Sequence, residues 1–199
     1  MWRRELLRDA VRNSPHTGKE RATWLALFIL LHYDAGVMVK LLEVKPFQQT
    51  AGYCGPACLK MVFDYFDVHV SEGAIAKVGG AKRSTGMGLE GMRNAAMHFN
   101  FSFSSQDDAS FSDIQVLLKK GIPPIVDWFS VDDGHYCVVV GLDAKMIHLQ
   151  DPEFGKIHSL DRQTFFRCWF DFPKDFIGKP CDVFTRRLIV VKPKGKEGK

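Results

Sequence analysis

Cys54 stands where a glycine-containing loop turns into an apolar-striped segment, in the run Tyr53-Cys54-Gly55-Pro56-Ala57-Cys58-Leu59. A thiol at the first turn of a helix meets unpaired N–H groups and the positive end of the helix dipole, which favour the nucleophilic thiolate. Gly55 lets the backbone come close, and Pro56 presets the first turn. Taken alone, the segment also fits a buried structural cysteine. His135 opens the apolar run His135-Tyr136-Cys137-Val138-Val139-Val140-Gly141, after a loop containing Asp132, Asp133 and Gly134. An imidazole held at a strand mouth can serve as base to a thiol and form a thiolate–imidazolium pair; a surface histidine at a strand edge is the plainer alternative. His16, His32, His69, His98, His148 and His158 have no comparable setting. Asp151 ends the next predicted strand, in Leu149-Gln150-Asp151-Pro152-Glu153-Phe154-Gly155, so a hairpin can bring it beside His135. A carboxylate there would accept the second imidazole N–H and fix the tautomer. By itself it also fits an aspartate that starts an Asp-Pro turn.

Cys58 and Cys137 invite a metal reading, because Cys58 lies one helical turn from Cys54 and Cys137 shares a strand face with His135. Structural zinc sites more often use Cys-x-x-Cys knuckles in loops. Both cysteines are therefore expected to be small core residues, with no metal and no cofactor.

The elements that must position these groups follow from hydrophobic periodicity. Leu41 to Phe47 is expected to be a short strand, followed by a loop and a central helix from Cys54 or Gly55. Leu59, Val62, Phe63 and Phe66 form that helix's buried face. Ser71 can cap a short helix to Val78 that Gly79-Gly80 ends, and another helix is expected over Leu89 to His98. Phe99, Phe101 and Phe103 alternate as a strand does, and Ser110 caps a helix carrying Ile114, Leu117 and Leu118 that stops at Gly121. The second half is β-rich: Ile122 to Phe129, His135 to Leu142, Met146 to Gln150, Lys156 to Leu160 and Arg186 to Lys192, with a helix over Asp161 to Phe170. Helices first and an antiparallel sheet afterwards make an α+β fold, with a cleft where the two meet.

An apolar fraction of 46% with 25% charged residues in 199 residues is the balance of an ordinary globular chain. The net charge of +4 is mild, and basic residues gather in two terminal stretches, Arg3 to Arg21 and Lys192 to Lys199, so no nucleic-acid partner is expected. Residues 1–37 are expected to be an extension, either a peripheral helix or a start placed too far upstream. Residues 38–192 are expected to be the domain and residues 193–199 a disordered basic tail. The longest apolar run, Ala22 to Leu31, is about half of what a bilayer requires, so no membrane span is expected. It resembles a signal-peptide core but lacks a small-x-small cleavage site. The 5 cysteines form an odd set without paired spacing, which suggests a reducing, cytoplasmic compartment over secretion.

Together the three segments resemble the bacteriocin-processing (double-glycine) cysteine peptidases, family thirty-nine of the papain-like clan. That family carries a glutamine ahead of Cys-Gly-Pro-Ala-x-Leu, then His-Tyr-hydrophobic-Val-hydrophobic-Gly, then Asp-Pro-x-x-Gly. Here these are Gln48 or Gln49, Cys54 to Leu59, His135 to Gly141 and Asp151 to Gly155. The resemblance implies a papain-like fold over about Leu41 to Val191 and hydrolysis of a peptide or protein substrate. It assigns nucleophile to Cys54, base to His135 and orienting residue to Asp151. An oxyanion-hole amide would come from Gln49 or Gln48, of which Gln49 fits stand-alone relatives and Gln48 the usual papain-like separation. Cleavage after Gly-Gly-type sequences is what the resemblance suggests. A γ-glutamyl amide hydrolase or transpeptidase of the same clan, and a catalytically silent peptide-binding module, stand as alternatives. There is no Gly-x-x-x-x-Gly-Lys-Ser/Thr loop, so transport is not expected as the chain's own activity.

Overall fold

The computed structural model of the chain describes residues 41–130, 133–172 and 177–195. The expected extension, residues 1–37, lies outside the described residues, as do residues 196–199 of the expected tail.

Helix α1 spans Cys54–Tyr65 and buries Ala57, Cys58, Leu59, Met61, Val62 and Phe63. Leu59, Val62 and Phe63 are on the anticipated face, and Phe66, also buried, follows as the C-cap; each large side chain removed from water contributes about 1.5–3 kcal/mol. Ser71 caps α2, Glu72–Gly79, by accepting a hydrogen bond from the Ala74 N–H, and Gly80 in the left-handed region ends it. Helix α3 covers Leu89–His98. Strand β1, Phe101–Gln106, follows, and Phe101 stacks on Phe63 of α1 with ring centroids 4.2 Å apart. Helix α4, Phe111–Lys119, opens with a reciprocal capping box between Ser110 and Asp113.

The strands β2 (Ile125–Phe129), β3 (Gly134–Leu142), β4 (Met146–Asp151), β5 (Lys156–Asp161) and β8 (Arg187–Pro193) join β1 in a six-stranded antiparallel sheet of order β1-β8-β2-β3-β4-β5. Helix α5 is Arg162–Cys168, capped by the Asp161 carboxylate. A separate two-stranded pair, β6 (Phe170–Asp171) and β7 (Phe184–Thr185), was not foreseen, because two-residue strands carry no periodicity.

The sheet is covered on both faces. Tyr136, Val138 and Val140 of β3 join the cluster of α1, while Cys137 and Val139 join the cluster that includes Ile114 of α4 and Phe165 of α5. This explains the unbroken apolar run of β3, which reads as a strand buried on both sides.

Three expected boundaries differ. Leu41 to Phe47 forms no ladder; it docks through one backbone bond, Leu42 N–H to the Val140 carbonyl at 2.8 Å. Val140 falls where the β3–β4 register shifts, which leaves its carbonyl available. Strand β2 starts at Ile125 and not Ile122, since Pro123 and Pro124 have no N–H to give the sheet. The last helix stops at Cys168, and Phe170 enters β6.

Helices α2 and α3 meet backbone to backbone. A methyl group placed on Gly91 would land on the Gly79 carbonyl oxygen and within 2.8 Å of Met87 Cγ. Gly91→Ala is therefore expected to force the helices apart and cost about 1–3 kcal/mol, read as a lower urea midpoint with an unchanged slope.

Candidate active site

Cys54 is the first residue of α1, and no side chain caps that helix end. The helix N-terminus thus presents its amides and dipole to the half-buried thiol rather than to a competing carboxylate or hydroxyl. His135 is the second residue of β3 and is only 6% exposed. Its Nε2–H donates to Asp151 Oδ1 at 2.9 Å, and the Cys54 thiol is close enough to interact with the ring electrostatically. Burial works against a charge on the imidazole, yet the Asp151 hydrogen bond, aided by the neighbouring Cys137 and Cys54 thiols, outweighs it and holds the ring well above its ordinary value. Asp151 shows the mirror behaviour: burial raises its carboxyl, but the His135 hydrogen bond and charge bring it below the usual carboxylate range. Both directions favour the ionised pair.

Asp151 is held tightly because its turn closes on itself and on the loop before Cys54. Oδ1 also accepts the Glu153 N–H at 2.9 Å. The Pro152 carbonyl accepts the Gln49 N–H at 2.8 Å, and Gly155, at φ +60°, lies against the Cβ of Gln48. On the other side of the loop the Thr50 N–H and hydroxyl donate to the two carboxylate oxygens of Glu72, at 2.9 and 2.7 Å. The loop before Cys54 is therefore pinned from α2 and from the Asp151 turn. Gln48 is exposed and Gln49 half-buried, and no hydrogen bond engages the buried Gln49 side-chain oxygen.

The structure thus brings Cys54, His135, Asp151 and the Gln48-Gln49 loop to one place. Cys58 and Cys137 are wholly buried, as expected of core residues. The Cys58 thiol donates to the Tyr136 carbonyl at 3.2 Å, and burial pushes it up. Cys137 accepts the indole N–H of Trp128 at 3.4 Å, and burial pushes its thiol up to about 11. The donor atoms of His135, Cys137 and Asp151 do lie within 4.8 Å of one another. With His135 Nε2 committed to Asp151 and Cys137 a neutral thiol near neutral pH, this set works as a hydrogen-bonded scaffold and not as a ready metal cage.

Two groups escaped sequence reasoning. His158, set aside for lack of a setting, places Nδ1 3.4 Å from Asp151 Oδ2; strand alternation through the Asp-Pro hairpin was the available signal, since Leu149 pairs with His158 and Asp151 with Lys156. The other is the acid pair Asp127 and Asp171. Asp127, 1% exposed, sits opposite Tyr136, and Asp171 lies against Gly134 beside His135. Burial first, then the charge of Asp171, pushes Asp127 well above the usual carboxylate range, against the pull of Arg187 Nη1 at 3.8 Å.

An acid whose folded-state value is raised binds its proton more tightly in the fold. It therefore favours folding at low pH and disfavours it once pH climbs past the unfolded value. Asp127→Asn is expected to raise the melting temperature near neutral pH by about 2–4 °C for each kcal/mol relieved. The gain should vanish in melts below about pH 4, where the unfolded carboxyl is itself protonated.

The family model of the Peptidase C39 family matches residues 44–172. Among solved structures, the peptidase domain of Streptococcus ComA, a bi-functional ABC transporter involved in a quorum-sensing pathway, superposes with a TM-score of 0.60 at 19% identity, covering 76% of this chain and 100% of that one. A double glycine motif protease from an AMS/PCAT transporter, in complex with its leader peptide, gives 0.58 at 22%, over 77% and 94%. A C39-like peptidase from Bacillus anthracis gives 0.59 at 15%, over 79% and 99%. These likenesses show the fold. No curated protein matches the chain.

Proposed function

Since the chain belongs to the Peptidase C39 family, we propose that it is a cysteine peptidase in which Cys54 is the nucleophile, His135 the acid–base group and Asp151 the residue that orients His135. The observation that carries this reading is the buried His135–Asp151 hydrogen bond of 2.9 Å. In the reaction the Cys54 sulfur bonds to the peptide carbonyl carbon. The carbonyl oxygen becomes an oxyanion, for which the Cys54 N–H and the Gln49 amide are the donors; such stabilisation is worth about 3–4 kcal/mol. Gln49 is preferred over Gln48 because Gln48 is exposed and packs its Cβ on Gly155. Collapse breaks the C–N bond, and His135 gives its proton to the leaving amine. Water, losing a proton to His135, then hydrolyses the thioester and frees Cys54.

The substrate class is a peptide or protein. Cleavage after a Gly-Gly-type sequence is supported by one solved structure of this fold being a double glycine motif protease with a leader peptide bound. The catalytic domain is taken as residues 38–192, and the unpaired cysteines fit a cytoplasmic setting. Among the described residues no helix is long and apolar enough to cross a membrane.

The test is a peptide library with Gly-Gly, Gly-Ala and γ-glutamyl members, digested with and without prior alkylation. Cleavage C-terminal to Gly-Gly that alkylation abolishes is the expected result. Turnover of γ-glutamyl amides alone, or of nothing, would overturn it.

A further inference from the structure

His158 is half-exposed on β5, the edge strand of the sheet, where a histidine has every opportunity to point into water. It turns instead over the face it shares with Asp151 and sets Nδ1 3.4 Å from Asp151 Oδ2. Phe154 packs edge-on against the ring, with centroids 5.7 Å apart, and Lys156 Nζ sits 5.9 Å from the far ring centroid of Phe154. The ring is thus held by an apolar neighbour while its polar edge faces the carboxylate.

The oxygens of Asp151 are divided between partners. Oδ1 takes both the His135 Nε2–H and the Glu153 N–H, each at 2.9 Å. Oδ2 has His158 alone among the described residues, although Asp151 is only 1% exposed and can draw little on water. A buried carboxylate oxygen without a donor raises the cost of the negative charge, and that charge is what His135 relies on to stay protonated beside a thiolate.

We propose, resting on the peptidase reading above, that His158 is a positioning residue of the site: its Nδ1–H donates to Asp151 Oδ2, keeps Asp151 anionic and turned toward His135, and thereby sustains the Cys54 thiolate. The chain Cys54, His135, Asp151, His158 runs across β3, β4 and β5 from the helix tip to the solvent at the sheet edge. His158 touches no reacting atom and acts only through Asp151.

The test is the rate at which iodoacetamide alkylates Cys54, located by peptide mapping, across about pH 5 to 9 in the full chain, for the parent, His158→Leu and His158→Asn. The Asn side-chain amide can place an N–H near the Nδ1 position, whereas Leu keeps bulk and loses the donor. The expected result is a pH midpoint displaced upward in His158→Leu, with a rate near pH 6 lower by about three- to tenfold, and a profile close to the parent in His158→Asn. The melting temperature of His158→Asn should match the parent's, and that of His158→Leu should be modestly lower, as for a buried carboxylate oxygen left without its donor. A His158→Leu profile superimposed on the parent's overturns the role, as does His158→Asn falling as far as His158→Leu. If the parent's Cys54 reacts near pH 6 no faster than a free cysteine, the peptidase reading itself fails, which is a different outcome from either.

Discussion

Cys54→Ser is expected to fold as the parent does and to lose essentially all peptide hydrolysis and all alkylation at position 54. A serine hydroxyl at the tip of α1 is far less acidic than a thiol, so neither the helix dipole nor His135 can hold it as the anion, and the ion pair that drives attack is missing. The controls are the buried cysteines. Cys58→Ser keeps a donor for the Tyr136 carbonyl, and Cys137→Ser keeps an acceptor for the Trp128 indole, so both should lose stability before they lose rate. Putting a hydroxyl into either wholly buried position costs on the order of 1–3 kcal/mol. Alkylation rate against pH, with the modified residue mapped, separates the three. A Cys54→Ser protein that labels as fast as the parent would place the reactive thiol elsewhere.

The second large effect is expected at Asp151, and it should differ sharply between two substitutions. Asp151→Ala removes the acceptor of His135 Nε2 and of the Glu153 N–H, and so loosens the turn whose Pro152 carbonyl holds the Gln49 N–H. Orientation of the base and placement of the oxyanion donor fail together, and kcat is expected to fall by about 10²–10⁴-fold. Asp151→Asn keeps an acceptor for both N–H groups but offers no charge to the imidazolium. It should cost about tenfold and displace the alkylation midpoint upward. Equal losses in the two variants would show that charge alone matters and that the turn does not position Gln49.

How far the sequence carried the site is best seen residue by residue. Cys54, His135 and Asp151 each announce themselves by a local signature: a loop-to-helix junction, an apolar strand mouth and an Asp-Pro turn. The meeting of His135 and Asp151 follows from antiparallel pairing of adjacent strands. The strands β3 to β5 were legible for the same reason, since short turns fix their order. His158 was missed although alternation puts it on the face of Asp151, because nothing in the sequence marks a half-exposed side chain as turning toward a buried carboxylate. Asp127 and Asp171 were hidden for another reason. They are contributed by β2 and by a two-residue strand, and only the packing of β6 against Gly134 reveals that two acids share one buried corner. The absent ladder at Leu41 to Phe47 shows the limit of periodicity: an apolar alternating run needs a free sheet edge, and the partner β3 already has β2 and β4 on its sides.

The strand order also bears on how the chain folds. Strand β8 lies between β1 and β2, and the contact of Ser102 with Lys192 spans 90 residues. A polypeptide emerging from the ribosome N-terminus first exposes β1 and β2 while the slot between them is still empty, and pairings that distant in sequence are slow to close. Cys54, His135 and Asp151 have all been synthesised by then, but the sheet that carries the histidine and aspartate is incomplete. Closure of the six-stranded sheet therefore waits on β8, the last strand among the described residues.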